Sequence, residues 1–80
     1  MTHVILLRSS PPPEGQGFFS EVQRNERITV AHDDQGQPRI FHDVQDALEV
    51  IAKEFGSDTA IPVRAPILET EGGRTVAYWG

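Results

Sequence analysis

The sequence contains no cysteine. Disulfides and thiolate metal sites are therefore excluded, and a reducing cytoplasm is compatible with the chain. Lysine is nearly absent too, since six of the seven basic residues are Arg and the seventh is Lys53. A GC-rich genome gives such a bias, and so does an interface built on bidentate guanidinium contacts. Acidic residues number 12, for a formal charge of −5. That sign disfavours direct nucleic-acid binding and attachment to an anionic membrane, because both need a basic surface. It permits docking onto a basic protein. Long hydrophobic runs are missing as well. The longest aliphatic run, Val4-Ile5-Leu6-Leu7, falls far short of the ~20 residues of a membrane span. It also lacks the basic start of a signal peptide. The expectation is a soluble, cytoplasmic protein.

What is present reads as one domain over residues 1–80. A chain of this length buries only about 60–65% of the surface it exposes when unfolded, so its core needs nearly every large side chain. The strongest local signal is an amphipathic helix over about residues 43–55. Asp43 is a favoured N-cap, with Asp46 as an imperfect capping-box partner. Val44, Ala47, Leu48, Ile51 and Phe55 fall on one face by the i, i+3, i+4, i+7 rule. Gln45, Asp46, Glu49 and Lys53 fall on the other, and Glu49→Lys53 is the favourable i, i+4 orientation. Gly56 suits a left-handed helix stop.

The remaining segments read as strands. Residues 3–8 form a continuous apolar stretch, which predicts an interior strand buried on both faces. Residues 9–17, with three prolines and two glycines, predict a connecting loop. Residues 18–24 carry a weak alternation that fits a strand or a short helical turn. Residues 25–26 suggest a tight turn. Residues 27–32 alternate clearly, with Ile28 and Val30 on the apolar side. A turn over 33–37 and a return over 38–41 complete a meander. After the helix, residues 60–69 put Ile61, Val63, Ala65 and Ile67 on one side, while Pro62 and Pro66 demand an edge or an irregularity. Glu71-Gly72-Gly73-Arg74 is a hairpin signal leading to a last strand over 75–79. The expected fold is α+β: a small two-layer domain with an antiparallel or mixed sheet of four to five strands and the helix on one face.

No constellation declares a chemistry. His32-Asp33 and His42-Asp43 pair imidazole with carboxylate. A hairpin centred near Gln35-Gly36 would place His32 opposite Arg39, however, well away from His42, so no metal site is expected. Asp33-Asp34-Gln35-Gly36 lacks the later ligands of a calcium loop and reads as turn chemistry. The serines occupy no strand-turn-helix elbow, and Gly15-Gln16-Gly17 precedes Phe18-Phe19 rather than a Lys-bearing helix start. Neither a catalytic set nor a cofactor site is expected. Tyr78 and Trp79 point to opposite sides of a strand, so one can serve the core and the other an interface. Asp33 and Asp34 on the hairpin tip, and Asp46 and Glu49 on the helix, are the acidic pairs expected to face a partner.

The run from Arg27-Ile28-Thr29-Val30 through Gly36-Gln37-Pro38-Arg39-Ile40-Phe41 into Asp43-Val44-Gln45-Asp46-Ala47-Leu48 resembles a motif of small phage and plasmid proteins. There a "G-x-P-R-x-F" return runs straight into a capped "D-V-x-x-A-L" helix. In size, acidity and layout around one helix, the whole chain resembles small anti-CRISPR proteins directed at type I CRISPR-Cas systems. Those proteins share a function rather than a sequence, so no functional residues carry over. The resemblance implies a non-enzymatic inhibitor in the cytoplasm of a bacterial host cell. It would bind the basic surface of a surveillance complex, as a monomer or weak homodimer, and block target DNA. Two other readings stand beside it: an accessory or self-associating structural protein of a phage or plasmid, and a small regulatory partner of a larger enzyme.

Overall fold

The computed structural model describes residues 1–7 and 26–80. The loop expected over 9–17, the strand over 18–24 and most of the turn at 25–26 lie outside the described residues. The elements in chain order are β1 (His3–Leu7), β2 (Arg27–Ile28), α1 (Val44–Val50), β3 (Ala60–Arg64), β4 (Ile67–Glu71) and β5 (Arg74–Tyr78). All strand pairs are antiparallel, and the α+β class expected from the sequence is the observed one.

The strands form two ladders, β1-β3 and β2-β5-β4. The chain from residue 27 to 31 joins them. It pairs first with β5, at Arg27↔Tyr78 and Ile28↔Ala77. It then crosses to β1, where Leu7 N donates to Thr29 O (2.8 Å) and Ala31 N donates to Ile5 O (3.0 Å). The order across the molecule is therefore β4, β5, residues 27–31, β1, β3, with a fork where the shared strand changes neighbour.

β1 is the centre of this arrangement, and its unbroken apolarity follows from burial on both faces. Val4 and Leu6 join Ile28, Val30, Val63 and Ala77 on one side, with Ile61 and Trp79 packed against them. Ile5 faces the other way, into Ala31, Ala47, Ile51 and Ala60, flanked by Leu7, Phe41, Val50 and Phe55. Val4 and Ile5 are the largest fully buried side chains, and each contributes about 1.5–3 kcal/mol of transfer free energy.

The helix starts as the sequence predicts. Asp43 has extended backbone angles, and its carboxylate accepts from Gln45 N at 2.9 Å. The single helix expected over 43–55 is corrected at its end. After Val50 the chain continues as a π turn, Ile51–Phe55, and Gly56 N donates to Ile51 O five residues back. This wider turn rotates less per residue. Phe55 would stand about 80° from Ala47 in a continued α-helix, and underwinding brings it back over Ala47 and Ile51. The buried stripe consequently shifts toward Val50. Leu48, expected on the inner face, is 41% exposed. Gly56 does have positive φ, at 92°, but its ψ of 148° is extended, not the expected left-handed helical stop.

Two strand expectations change as well. The run over 60–69 is split: Ala65 takes φ 50° just before Pro66, so β3 ends and β4 begins with a new register. Ile61 and Val63 share a face as expected, whereas Ile67 is 40% exposed. The first hairpin closes one residue differently from the expected register. His32 lies opposite Pro38 rather than Arg39. Asp33 sets this, because its carboxylate accepts from both Gln35 N (2.9 Å) and Gln37 N (3.0 Å), giving an odd-length loop centred on Gln35. The return over 38–41 makes single bridges at Pro38 and Phe41 and no ladder. The second hairpin is as read: Glu71↔Arg74 closes on Gly72 (φ 59°) and Gly73 (φ 79°), the two positive angles that such a turn requires.

Candidate functional site

The sequence-predicted site residues fall in three places. Asp33 and Asp34 are exposed at the hairpin tip, but Asp33 spends its carboxylate on the loop itself. Asp46 and Glu49 are exposed on α1, with Leu48 between them. Tyr78 ends β5 and Trp79 follows it, and they do take opposite sides. Trp79 packs against the Val4–Leu6 face of the core, while the Tyr78 hydroxyl reaches Glu71 of β4. The hairpin tip sits by the far end of the helical segment, since Arg39 reaches Glu54 there (3.2 Å to both carboxylate oxygens) and lies 5.7 Å over the Phe41 ring. Asp46 is in the first turn, at the opposite end. The two acidic pairs thus do not make one patch.

The strand that sequence reasoning missed as a site is β4. Every one of its residues is exposed, and among the described residues its one ladder is with β5. Ile67 is 40% exposed and Leu68 38%, beside Glu69 and Glu71. Its hydrogen-bonding edge follows from the register. Trp79 N donates to Glu26 O at 2.8 Å, so the backbone groups of Trp79 and Ala77 face β2. Those of Tyr78, Val76 and Arg74 then face β4, by the alternation of an antiparallel strand. Their partners Ile67, Glu69 and Glu71 bond inward, which leaves the N–H and C=O groups of Leu68 and Thr70 pointing outward. β4 has no Lys, Pro or bulge to blunt that edge, the devices by which exposed strands are usually protected. Two turn signals, Pro66 and Gly72-Gly73, marked its ends in the sequence; the continuous pattern drawn through Ala65 hid it.

Tyr78 has a perturbed pKa. Its phenol is raised above the usual range because it donates to the Glu71 carboxylate, with the negative charges of Glu71 and Glu69 adding to the effect. The hydroxyl and Glu71 thereby clasp the outer face of the β4-β5 arm.

Other side chains of the usual functional types are dispersed. His32 and His42 are exposed and separate. His3 is buried in β1, with Nδ1 3.0 Å from Met1 O. It borders an open, mainly apolar depression of about 520 Å³ shared with Val44, Pro62 and Arg64. Among the described residues, no group of three or more His, Asp or Glu is placed to hold a metal ion. No helix among them is long and apolar enough to cross a membrane. What the arrangement offers is an exposed strand edge with apolar and acidic side chains, a geometry suited to binding an extended segment. No protein-family model matches the chain, and neither a curated protein nor a solved structure shows significant similarity to it.

Proposed function

We propose that this protein is a non-enzymatic inhibitor that docks through β4 onto a basic protein surface. The observation that carries the reading is the edge itself: a five-residue strand, exposed throughout, with outward backbone groups at Leu68 and Thr70. Glu69 and Glu71 give that edge its charge, and Ile67, Leu68 and the Tyr78 ring give it apolar contact area. Strand addition draws affinity from main-chain hydrogen bonds and specificity from alternate side chains. Acidic side chains beside the edge speed encounter with a Lys- or Arg-rich partner. The anti-CRISPR resemblance supplies the partner in this proposal, the DNA-binding channel of a type I surveillance complex, whose occupation blocks target DNA. Self-pairing is the weaker use of this edge. An antiparallel pair centred on Glu69 sets two Glu69 side chains opposite each other, and like charges directly opposite are destabilising.

The test is co-purification with a type I surveillance complex at low and high salt, together with a DNA-binding assay. Glu69→Lys should slow association and flatten its salt dependence, because exposed charges act chiefly on encounter and are screened. Thr70→Pro removes an outward N–H while sparing the bonds to β5, so it should abolish binding without unfolding the arm. Capture that is indifferent to both substitutions, but lost in Asp33→Lys/Asp34→Lys or Asp46→Lys/Glu49→Lys, would move the site to one of those acidic pairs. No capture and no block of DNA binding would reject the inhibitor reading.

A further inference from the structure

The fork in the sheet opens a cleft on the other side of β5. The β2-β5 ladder stops at Ile28↔Ala77. Thr29 O and Ala31 N then face β1, so the N–H and C=O of Val30 face away from it, toward β5. On β5 the N–H of Thr75, which would have met Val30, bonds to Gln37 Oε1 at 3.1 Å instead. A crevice of about 210 Å³ lies between the separated edges, with Val30 and Thr75 on its walls. It adjoins a cleft of about 320 Å³ lined by Arg27, His32, Gly36, Arg74 and Thr75.

Two arginines, Arg27 and Arg74, line this cleft in a chain whose net charge is −5. The cross-strand partner of Arg74 is Glu71, but that carboxylate is engaged by the Tyr78 hydroxyl. The ion pair formed among the described residues is Arg39 with Glu54, and it uses neither Arg27 nor Arg74. Gly36, at φ 77°, keeps the turn close to Arg74: a Cβ there would stand 3.3 Å from its Nη2. Two cations with no carboxylate partner among the described residues, at a break in a ladder, point to an anion.

We propose that this cleft binds a small phosphoryl dianion, inorganic phosphate or a phosphomonoester. Two permanent cations match two negative charges, and the forked guanidiniums match adjacent phosphoryl oxygens. His32 and the outward N–H of Val30 supply further donors. A single carboxylate would leave one guanidinium uncompensated. A nucleic-acid strand is disfavoured on two counts: among the described residues no aromatic ring lines the cleft to stack a base, and the acidic protein as a whole repels a polyanion. The case for an anion here does not rest on docking through β4, and either reading can fail while the other stands.

The experiment is an amide NMR titration with inorganic phosphate, then with glycerol phosphate, at constant ionic strength balanced by chloride. Saturable shifts confined to Val30, Gly36, Thr75 and the side-chain Nε groups of Arg27 and Arg74 are expected. Arg27→Gln and Arg74→Gln should each weaken binding by about tenfold, the effect of losing one charge-assisted hydrogen bond, with the melting temperature unchanged. Equal shifts from chloride alone, shifts spread over Arg39, Arg64 and Lys53, or indifference to both substitutions would overturn the proposal. Tighter binding of a short single-stranded oligonucleotide through the same residues would overturn the choice of ligand.

Discussion

The π turn after α1 makes a prediction that separates two leucine-sized side chains one helical turn apart. Ile51 is 4% exposed and Leu48 is 41% exposed, although a continuous amphipathic helix would bury both. Ile51→Ala removes about three methyl or methylene groups at ~0.8 kcal/mol each and leaves a void, for a loss of about 3 kcal/mol. In a domain of this size that lowers Tm by about 12–24 °C. Leu48→Ala removes groups that are already partly hydrated and whose loss leaves no closed cavity, so about 1 kcal/mol is expected. Even Leu48→Asp should leave a cooperative transition, since its carboxylate stays in water, whereas Ile51→Asp buries an unpaired charge and should prevent folding. Thermal and denaturant melts followed by the single Trp, which packs against the core, would read all four variants. If Leu48→Ala costs as much as Ile51→Ala, the helix is rotated from the position described and the π turn does not set its buried face.

Two other outcomes follow from local chemistry. Asp43→Ala should cost about 1 kcal/mol in the same melts through loss of the N-cap bond to Gln45 N, and Asp43→Asn should restore most of it. The single Tyr allows its phenolate absorbance to be followed alone; titration of Tyr78 should lie above the ordinary range and fall back toward it in Glu71→Gln. Because the folded pKa is the raised one, the stability from this hydrogen bond is present at neutral pH and is lost as pH climbs through the Tyr78 titration.

The elements legible in the sequence were those whose signal is local. Asp43 announced the helix start because an N-cap is a property of one side chain and two N–H groups. Gly72-Gly73 announced its hairpin because two glycines adopt two positive φ angles without strain. The interior position of β1 was legible because burial on both faces leaves no polar residue in the run. Leu48 was misplaced because a 3.6-residue period assumes an unbroken α-helix, and nothing in Ile51–Phe55 signals the wider turn. β4 was hidden for a comparable reason. Ala65 at φ 50° resets the alternation, and alanine gives no warning of that angle. The acidic pairs were legible as exposed charges, but their separation was not, because it depends on Arg39 fixing the hairpin tip beside Glu54.

β5 separates two surfaces of opposite character. Its β4 side carries Glu69 and Glu71; the cleft on its other side is lined by Arg27, Arg74 and His32. The Tyr78–Glu71 hydrogen bond keeps the two apart, because a Glu71 carboxylate released from the phenol is opposite Arg74 and able to pair with it. Pairing would take one guanidinium from the cleft and one charge from the strand edge together. Glu71→Gln should therefore retain the anion site, whose cations remain unpaired, while reducing the charge that β4 presents. Tyr78→Phe has the other sign: it frees the Glu71 carboxylate for Arg74 and should weaken phosphate binding with no residue of the cleft altered. Phosphate affinity unchanged in Tyr78→Phe would show that Arg74 is held by the Gly36 turn alone, and that the two sides of β5 act without reference to each other.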